Sequence, residues 1–502
     1  MRSPNLDNPD RRGLAIAWRM LVASLVLIPP AVSVAQTSFQ RTYGGPGSDC
    51  CYSVEQTRDG GFVLVGSTAS SGAGEDDVYL VRIDATGGVL WTRTYGGTNV
   101  DCGQSVCQAA DGGFVVAGYT YSFGAGARDI YLVRTDSIGD TIWTRTFGGA
   151  YDDLGYSVCE ALDGNLVVAG YTGSFGAGSC DAILIKVDAN GHALWSQTFG
   201  GTDFDAAFSV RPAADGFILA GCTWSTGAGA DDVYLVKTDS GGRMQWSRTF
   251  GGANGDIGSS VRRTGDGGYI VAGTTASFNA VWDGIYLIRT GPAGDTLWTR
   301  VIDGRDYDEA TSVDLCPDGG YIVAGRTFSS GAGNDDAYLV RTGASGDTVW
   351  TRTFGGLGSD GGTSVLVARD SGYAVAGCTE SFGAGASDML LVKTDAGGRI
   401  GVLEPAATGA RLPGLELSCR PNPMSDRALI SYSAPDGAPV SLSVFGLSGR
   451  LVARLPVGAV SRGTVRWYGC DAAGQRLPPG TYLCRLVAAS GCAVTTAVIL
   501  LP

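Results

Sequence analysis

One histidine, His192, stands in 502 residues, which excludes multi-histidine metal centres and leaves a single candidate for any His-based catalysis. It follows Asn190-Gly191, where a solvent-exposed turn histidine is the plain reading. Cations are scarce: 36 Lys and Arg face 49 Asp and Glu, net −13, with no basic run. A nucleic-acid binder needs a positive face to displace counterions from phosphates, and none is legible. The 13 cysteines include no Cys-x-x-Cys, so zinc-ribbon and thioredoxin chemistry are excluded. The 79 glycines follow no Gly-x-y period, which excludes collagen. Long apolar runs are also missing. The uninterrupted stretch Met20 to Ile28 is nine residues, too short to cross a bilayer.

That stretch follows Arg11 and Arg12 and is succeeded by Ser33 and Ala35, small residues with the spacing of a signal-peptidase site. Residues 1–35 therefore read as a signal peptide, the remainder as an exported chain without a transmembrane segment.

What is present is repetition. Trp91, Trp143, Trp195, Trp246, Trp298 and Trp350 recur every 51 or 52 residues, and copies of one unit begin at Thr42, Thr94, Thr146, Thr198, Thr249, Val301 and Thr353. Each copy holds four strand-like runs between Gly/Asp turns; in the second they are roughly Gly103–Ala109, Phe114–Thr120, Asp129–Thr135 and Thr141–Phe147. The middle two are apolar at consecutive positions, which means a sheet covered on both faces. The expected fold is all-β: a seven-bladed β-propeller of four-stranded blades over residues 36–400. The seventh copy has Val402 in its Trp slot, whereas Phe39 lies 52 residues before Trp91. The N-terminal strand is thus expected to complete the last blade and close the ring. The unit resembles the roughly fifty-residue β-propeller repeats of exported bacterial and archaeal proteins.

After a linker, 401–414, the text changes. Pro421-Asn422-Pro423, Val444-Phe445 with Gly449-Arg450, then Trp467, Asp471 with Gly474, and Pro479-Gly480-Thr481-Tyr482 punctuate short alternating strands. Residues 415–502 read as a small Ig-like β-sandwich. The motif order resembles the C-terminal sorting domain of type IX secretion cargo and the Ig-like domain of flagellar hook-capping proteins. That resemblance implies an outer-membrane secretion machinery as partner, and the cell surface or exterior of a diderm bacterium as destination.

Three aspartates recur per copy, as in Asp101, Asp111 and Asp129. Clustered carboxylates admit Ca²⁺, but a feature shared by all copies serves the repeat, and bonds to turn amides are the reading taken; no cofactor is expected. The Gly-Ala-Gly loops, such as Gly124-Ala125-Gly126, run into strands rather than helices, so they read as positive-φ turns and not phosphate cradles. Function belongs where copies differ. Loops between the fourth and first strands, and between the second and third, share a face. There Tyr121, Tyr151, Phe204, Trp224, Trp282, Tyr307 and Phe328 replace smaller residues. Aromatics mixed with Asp suit a glycan or a protein ligand, the plain alternative being scattered surface rings. A non-enzymatic binding or adhesion module is the leading expectation. A polysaccharide hydrolase or lyase using Glu160 or Asp314, and a purely structural envelope protein, are the rivals.

Overall fold

A computed structural model of the chain describes residues 37–278, 280, 282–400, 416–433, 440–446, 451–457, 462–471, 474–488 and 493–501. The leader, the 401–414 linker with Val402, Asn279, Val281, Gly449, Arg450 and Cys492 lie outside the described residues. Every regular element among the described residues is a β-strand.

Each repeat forms one antiparallel four-stranded sheet in chain order; in the second copy the strands are Asp101–Gln108, Phe114–Thr120, Asp129–Thr135 and Thr141–Phe147. The first begins two residues before the sequence reading and ends one earlier. The Asp101 amide donates to the Asp76 carbonyl of the preceding sheet, which extends the strand at its start. Phe114–Thr120 and Asp129–Thr135 are buried at almost every position, as consecutive apolar residues require, while the outer strand Thr141–Phe147 is exposed along much of its length.

Seven such sheets occur among the described residues, and the seventh is completed from the other end of the chain. Phe39–Tyr43 pairs antiparallel with Asp388–Lys393, with Phe39 opposite Lys393. Trp91 lies opposite Arg82 in the same way, so Phe39 occupies the tryptophan slot. One core cluster joins Phe39, Met389 and Leu391 to Phe62 and Leu64 of the first sheet. A disulfide, Cys50–Cys378, links the inner strand of the first sheet to the second strand of the last.

The repeated Ser-Val pair of the inner strands connects neighbouring sheets. Ser105, Ser157, Ser209, Ser260, Ser312 and Ser364 each accept, on Oγ, the amide of the valine one sheet further on, at 3.1–3.3 Å. The last of these runs from Val54 in the first sheet to Ser364 in the seventh.

The tail forms two antiparallel sheets. One contains Glu416–Arg420, Ala428–Ser433 and Arg462–Trp467; the other contains Leu451–Leu455, Val440–Gly446, Gly480–Ala488 and Ala493–Leu500. They share a core that includes Met424, Ile430, Val444, Trp467 and Leu486. The motif residues shape this unit. Asn422 Oδ1 accepts the Ile499 amide at 2.8 Å, pinning the segment between Pro421 and Pro423 to the last strand. Trp467 packs edge-on to Tyr482 at 5.6 Å, and the Tyr482 hydroxyl donates to Pro478 O at 2.7 Å, just before Gly480.

Candidate binding face

Each inner strand starts with a buried aspartate, and the loop preceding it lies beside the end of the second strand of its own sheet. Backbone bonds fix the pairing: the Trp224 amide donates to Phe204 O at 2.8 Å and the Phe328 amide to Tyr307 O at 2.9 Å. Variable residues on these two kinds of loop therefore meet in pairs.

They do so in two groups. Phe204 is half-buried between Tyr171, at 5.4 Å, and the exposed Trp224, at 6.0 Å. Tyr171 leads on to Tyr156 and Phe208, with centroids 6.0 and 5.2 Å apart in turn. On its other side stands Arg128, 5.8 Å from both the Tyr119 and Tyr121 rings and paired with Asp152 at 2.6 Å. Arg128 also donates to the Tyr171 hydroxyl at 3.5 Å. The second group is Trp282–Tyr307–Phe328, with centroids 5.1 and 6.3 Å apart. Tyr151, 67% exposed, is held by its amide on Ser174 and joins neither group.

Sequence reasoning missed Tyr119, Arg128, Asp152, Tyr156, Tyr171 and Phe208. The signal for Tyr119 and Tyr171 was the column just before the threonine that ends each second strand: Ser67, Tyr119, Tyr171, Cys222, Thr274, Arg326 and Cys378. A second signal was the inner-strand bulge position, which holds Tyr156 and Phe208.

The electrostatics favour a neutral, hydrogen-bonding surface around one ion pair. Burial raises the Tyr119, Tyr156 and Tyr171 phenols above their ordinary values, which keeps them protonated and able to donate. The bond to Arg128 lowers the Asp152 carboxyl, and Asp152 in turn holds Arg128 charged. Arg128 Nε is buried without an acceptor. Flat ring faces beside polar donors suit a ligand with apolar faces and hydroxyl or carbonyl edges.

Each set of recurrent aspartates has a partner of its own, although the second carboxylate oxygen of Asp49, Asp101, Asp205, Asp256 and Asp308 is buried without a hydrogen bond. The first set accepts the serine hydroxyl that follows the second strand in all seven copies, as Asp101 does from Ser122 at 2.7 Å. The second set pairs with a cation on the third strand: Asp59–Arg82, Asp111–Arg134, Asp163–Lys186, Asp215–Lys237, Asp266–Arg289, Asp318–Arg341 and Asp370–Lys393, at 2.5–2.8 Å. The third set accepts the Gly-Ala-Gly amides, as Asp129 does from Ala125 at 3.0 Å and Gly126 at 3.2 Å. Gly124 opens that loop at φ 109°, a conformation glycine adopts without strain. No cluster of three or more His, Cys, Asp or Glu suited to a metal occurs among the described residues. His192, exposed in its turn, has its ring 3.3 Å from the Asp188 carboxylate.

No family model matches the chain. The regulatory protein FlaEY of Caulobacter vibrioides is 31% identical over 162 residues, covering 27% of this chain and 17% of that protein; the chain spans less than a fifth of its length. Similar solved structures include a fungal alcohol oxidase in complex with copper, with TM-score 0.43, 14% identity, and coverage of 92% of this chain and 98% of that one. They also include Sqt1 from Chaetomium thermophilum, with TM-score 0.39, 11% identity, and coverage of 71% and 100%. The plexin A4 extracellular region gives TM-score 0.43, 10% identity, and coverage of 93% and 67%. The chain is all-β and propeller-like.

Proposed function

We propose that the seven sheets are blades of a closed propeller, that the protein is exported, and that it binds a glycan without catalysis on the face carrying Tyr121, Arg128, Phe204 and Trp224. One observation carries the reading: five aromatic side chains, Tyr119, Tyr121, Tyr171, Phe204 and Trp224, run without a gap around the Arg128–Asp152 pair. Sugar rings stack on aromatic faces through their C–H bonds while their hydroxyls meet neighbouring donors and acceptors. Trp282, Tyr307 and Phe328 form a second, smaller platform. The Cys50–Cys378 disulfide supports an oxidising destination. The hydrolase alternative needs a free acid–base pair, yet Asp314 is already held by Arg262 at 3.3 Å and by the Val367 amide at 2.9 Å. The tail serves as a sorting unit for the outer-membrane secretion machinery, an Ig-like sandwich by this reading.

A glycan array followed by calorimetry tests the binding role. Trp224→Ala and Arg128→Gln should each weaken the retained glycan at least tenfold without lowering the melting temperature. Retention of no glycan, or variants that bind like the parent, overturns the reading; selective capture of peptides would reassign the ligand. Deleting Leu415–Pro502 should trap the protein in the periplasm, and unchanged release would refute the sorting role.

A further inference from the structure

Towards the ends of the inner strands remote from the aromatic face, the residue after each Ser-Val pair differs between sheets: Glu55, Cys107, Cys159, Arg211, Arg262 and Asp314 in the first six. The serine-to-amide bonds linking successive inner strands hold these positions at one level. Two carboxylates stand among them, and both are spoken for. Asp314 receives Arg262 Nε on one oxygen and the Val367 amide on the other. Glu55 Oε2 accepts the Gln108 amide at 3.0 Å, and burial pushes its carboxyl up to about 7, so near neutral pH much of its charge is absent. Beside Cys159 the next strand carries Pro212, which has no N–H to satisfy.

Arg211 is left over. Its Nη1 donates to Val210 O at 2.9 Å, and no carboxylate among the described residues comes within ion-pair distance of it. Four of the five donors of its guanidinium remain. Burial and the nearby Arg262 cation disfavour the Arg211 charge, while Cys159 and the more distant Asp314 and Glu55 carboxyls, none of them in ion-pair contact, favour it less strongly. A guanidinium nevertheless stays protonated, and a half-buried unpaired charge is expensive unless an anion balances it. The side chains of Arg262 and Asp314 keep 18% and 24% exposure, so a small ion can reach this level.

We infer that Arg211, flanked by Arg262, forms a site for a single oxyanion group, the carboxylate, sulfate or phosphate of a small molecule. The planar fork of arginine matches the paired oxygens of such groups. This site is independent of the aromatic face.

Thermal melts of the full protein at constant ionic strength, with chloride exchanged for acetate, sulfate or inorganic phosphate, test it. At least one oxyanion should raise the melting temperature by several degrees with saturable dependence, and the three arms separate carboxylate from tetrahedral recognition. Arg211→Leu should abolish that rise and, in chloride, melt no lower than the parent because the uncompensated cation is gone. Arg211→Lys should keep a response at least threefold weaker in affinity, and Trp224→Ala should leave it intact. A rise that persists in Arg211→Leu, an absence of any oxyanion effect, or an Arg211→Leu protein that melts lower in chloride would each overturn the inference. Should Arg211→Leu fail to fold, calorimetric titration of Arg211→Gln with the same anions decides between the same outcomes.

Discussion

The seven Asp–cation pairs place a nearly buried Arg or Lys under an aspartate that is itself largely exposed in six of the copies. Screening limits each exposed carboxylate to about 1 kcal/mol or less, but the pattern is repeated. The Asp111, Asp163 and Asp215 carboxyls are lowered first by their cations. Those of Asp59 and Asp266 are lowered first by a threonine hydroxyl and then by their arginines, and that of Asp318 first by the Gly320 amide. Folded values below the unfolded ones mean that the unfolded chain takes up protons first as pH falls. The stabilisation is therefore complete above about pH 5 and is lost progressively below about 4. Urea melts at pH 5 and pH 3 should show a clearly lower midpoint at pH 3; equal midpoints would contradict this account. The aspartates were legible as turn residues, since they open the hairpin in every copy. Their partners were not read, although a cation stands 22 or 23 residues later each time: only the pairing of the second and third strands brings that spacing into contact.

At the scale of the strand, Gly170 in the second strand of the third sheet shows why a glycine is retained at this position in every copy. A Cβ there would run into the Leu154 carbonyl oxygen of the bulged inner strand, and the equivalent glycine of each sheet meets the same obstacle. The bulge spends one extra inner-strand residue, such as Tyr156, to re-aim its side chain, and the strand beside it has no room for a methyl group. Gly170→Ala should cost about 1–3 kcal/mol by overpacking. Chemical denaturation measures it, and a variant as stable as the parent would show that the bulge yields. Strand identity was legible from apolar runs and turn chemistry. The bulge was not, because one inserted residue leaves the hydrophobic pattern of a short strand almost unchanged. That gap hid Tyr156 and Phe208 from the sequence reading of the aromatic face, whereas Tyr121, Trp224, Trp282, Tyr307 and Phe328 stood out as departures from their columns.

Across the whole repeat region, the first and last sheets are tied by three kinds of bond: the Phe39–Tyr43 strand pairing, the Val54 amide on Ser364, and the Cys50–Cys378 disulfide. The strand exchange was legible because Phe39 stands one repeat before Trp91, whereas the seventh copy has Val402 in place of its tryptophan. The disulfide was not, because Cys50 and Cys378 occupy two different columns of the repeat and stand 328 residues apart, and only the meeting of the first and last sheets brings these two cysteines together. The disulfide spans 328 residues of sequence, so its loss should destabilise the folded chain by roughly 3–5 kcal/mol through the freedom regained when unfolded. The proposed closure gives the variable loops a common face and the inner strands a common level. Its most direct test is non-reducing peptide mapping of the purified, unreduced protein by mass spectrometry. The account predicts a cross-linked pair joining the Cys50 peptide to the Cys378 peptide, released by reductant; Cys378 found as a free thiol or bonded to another cysteine would contradict it.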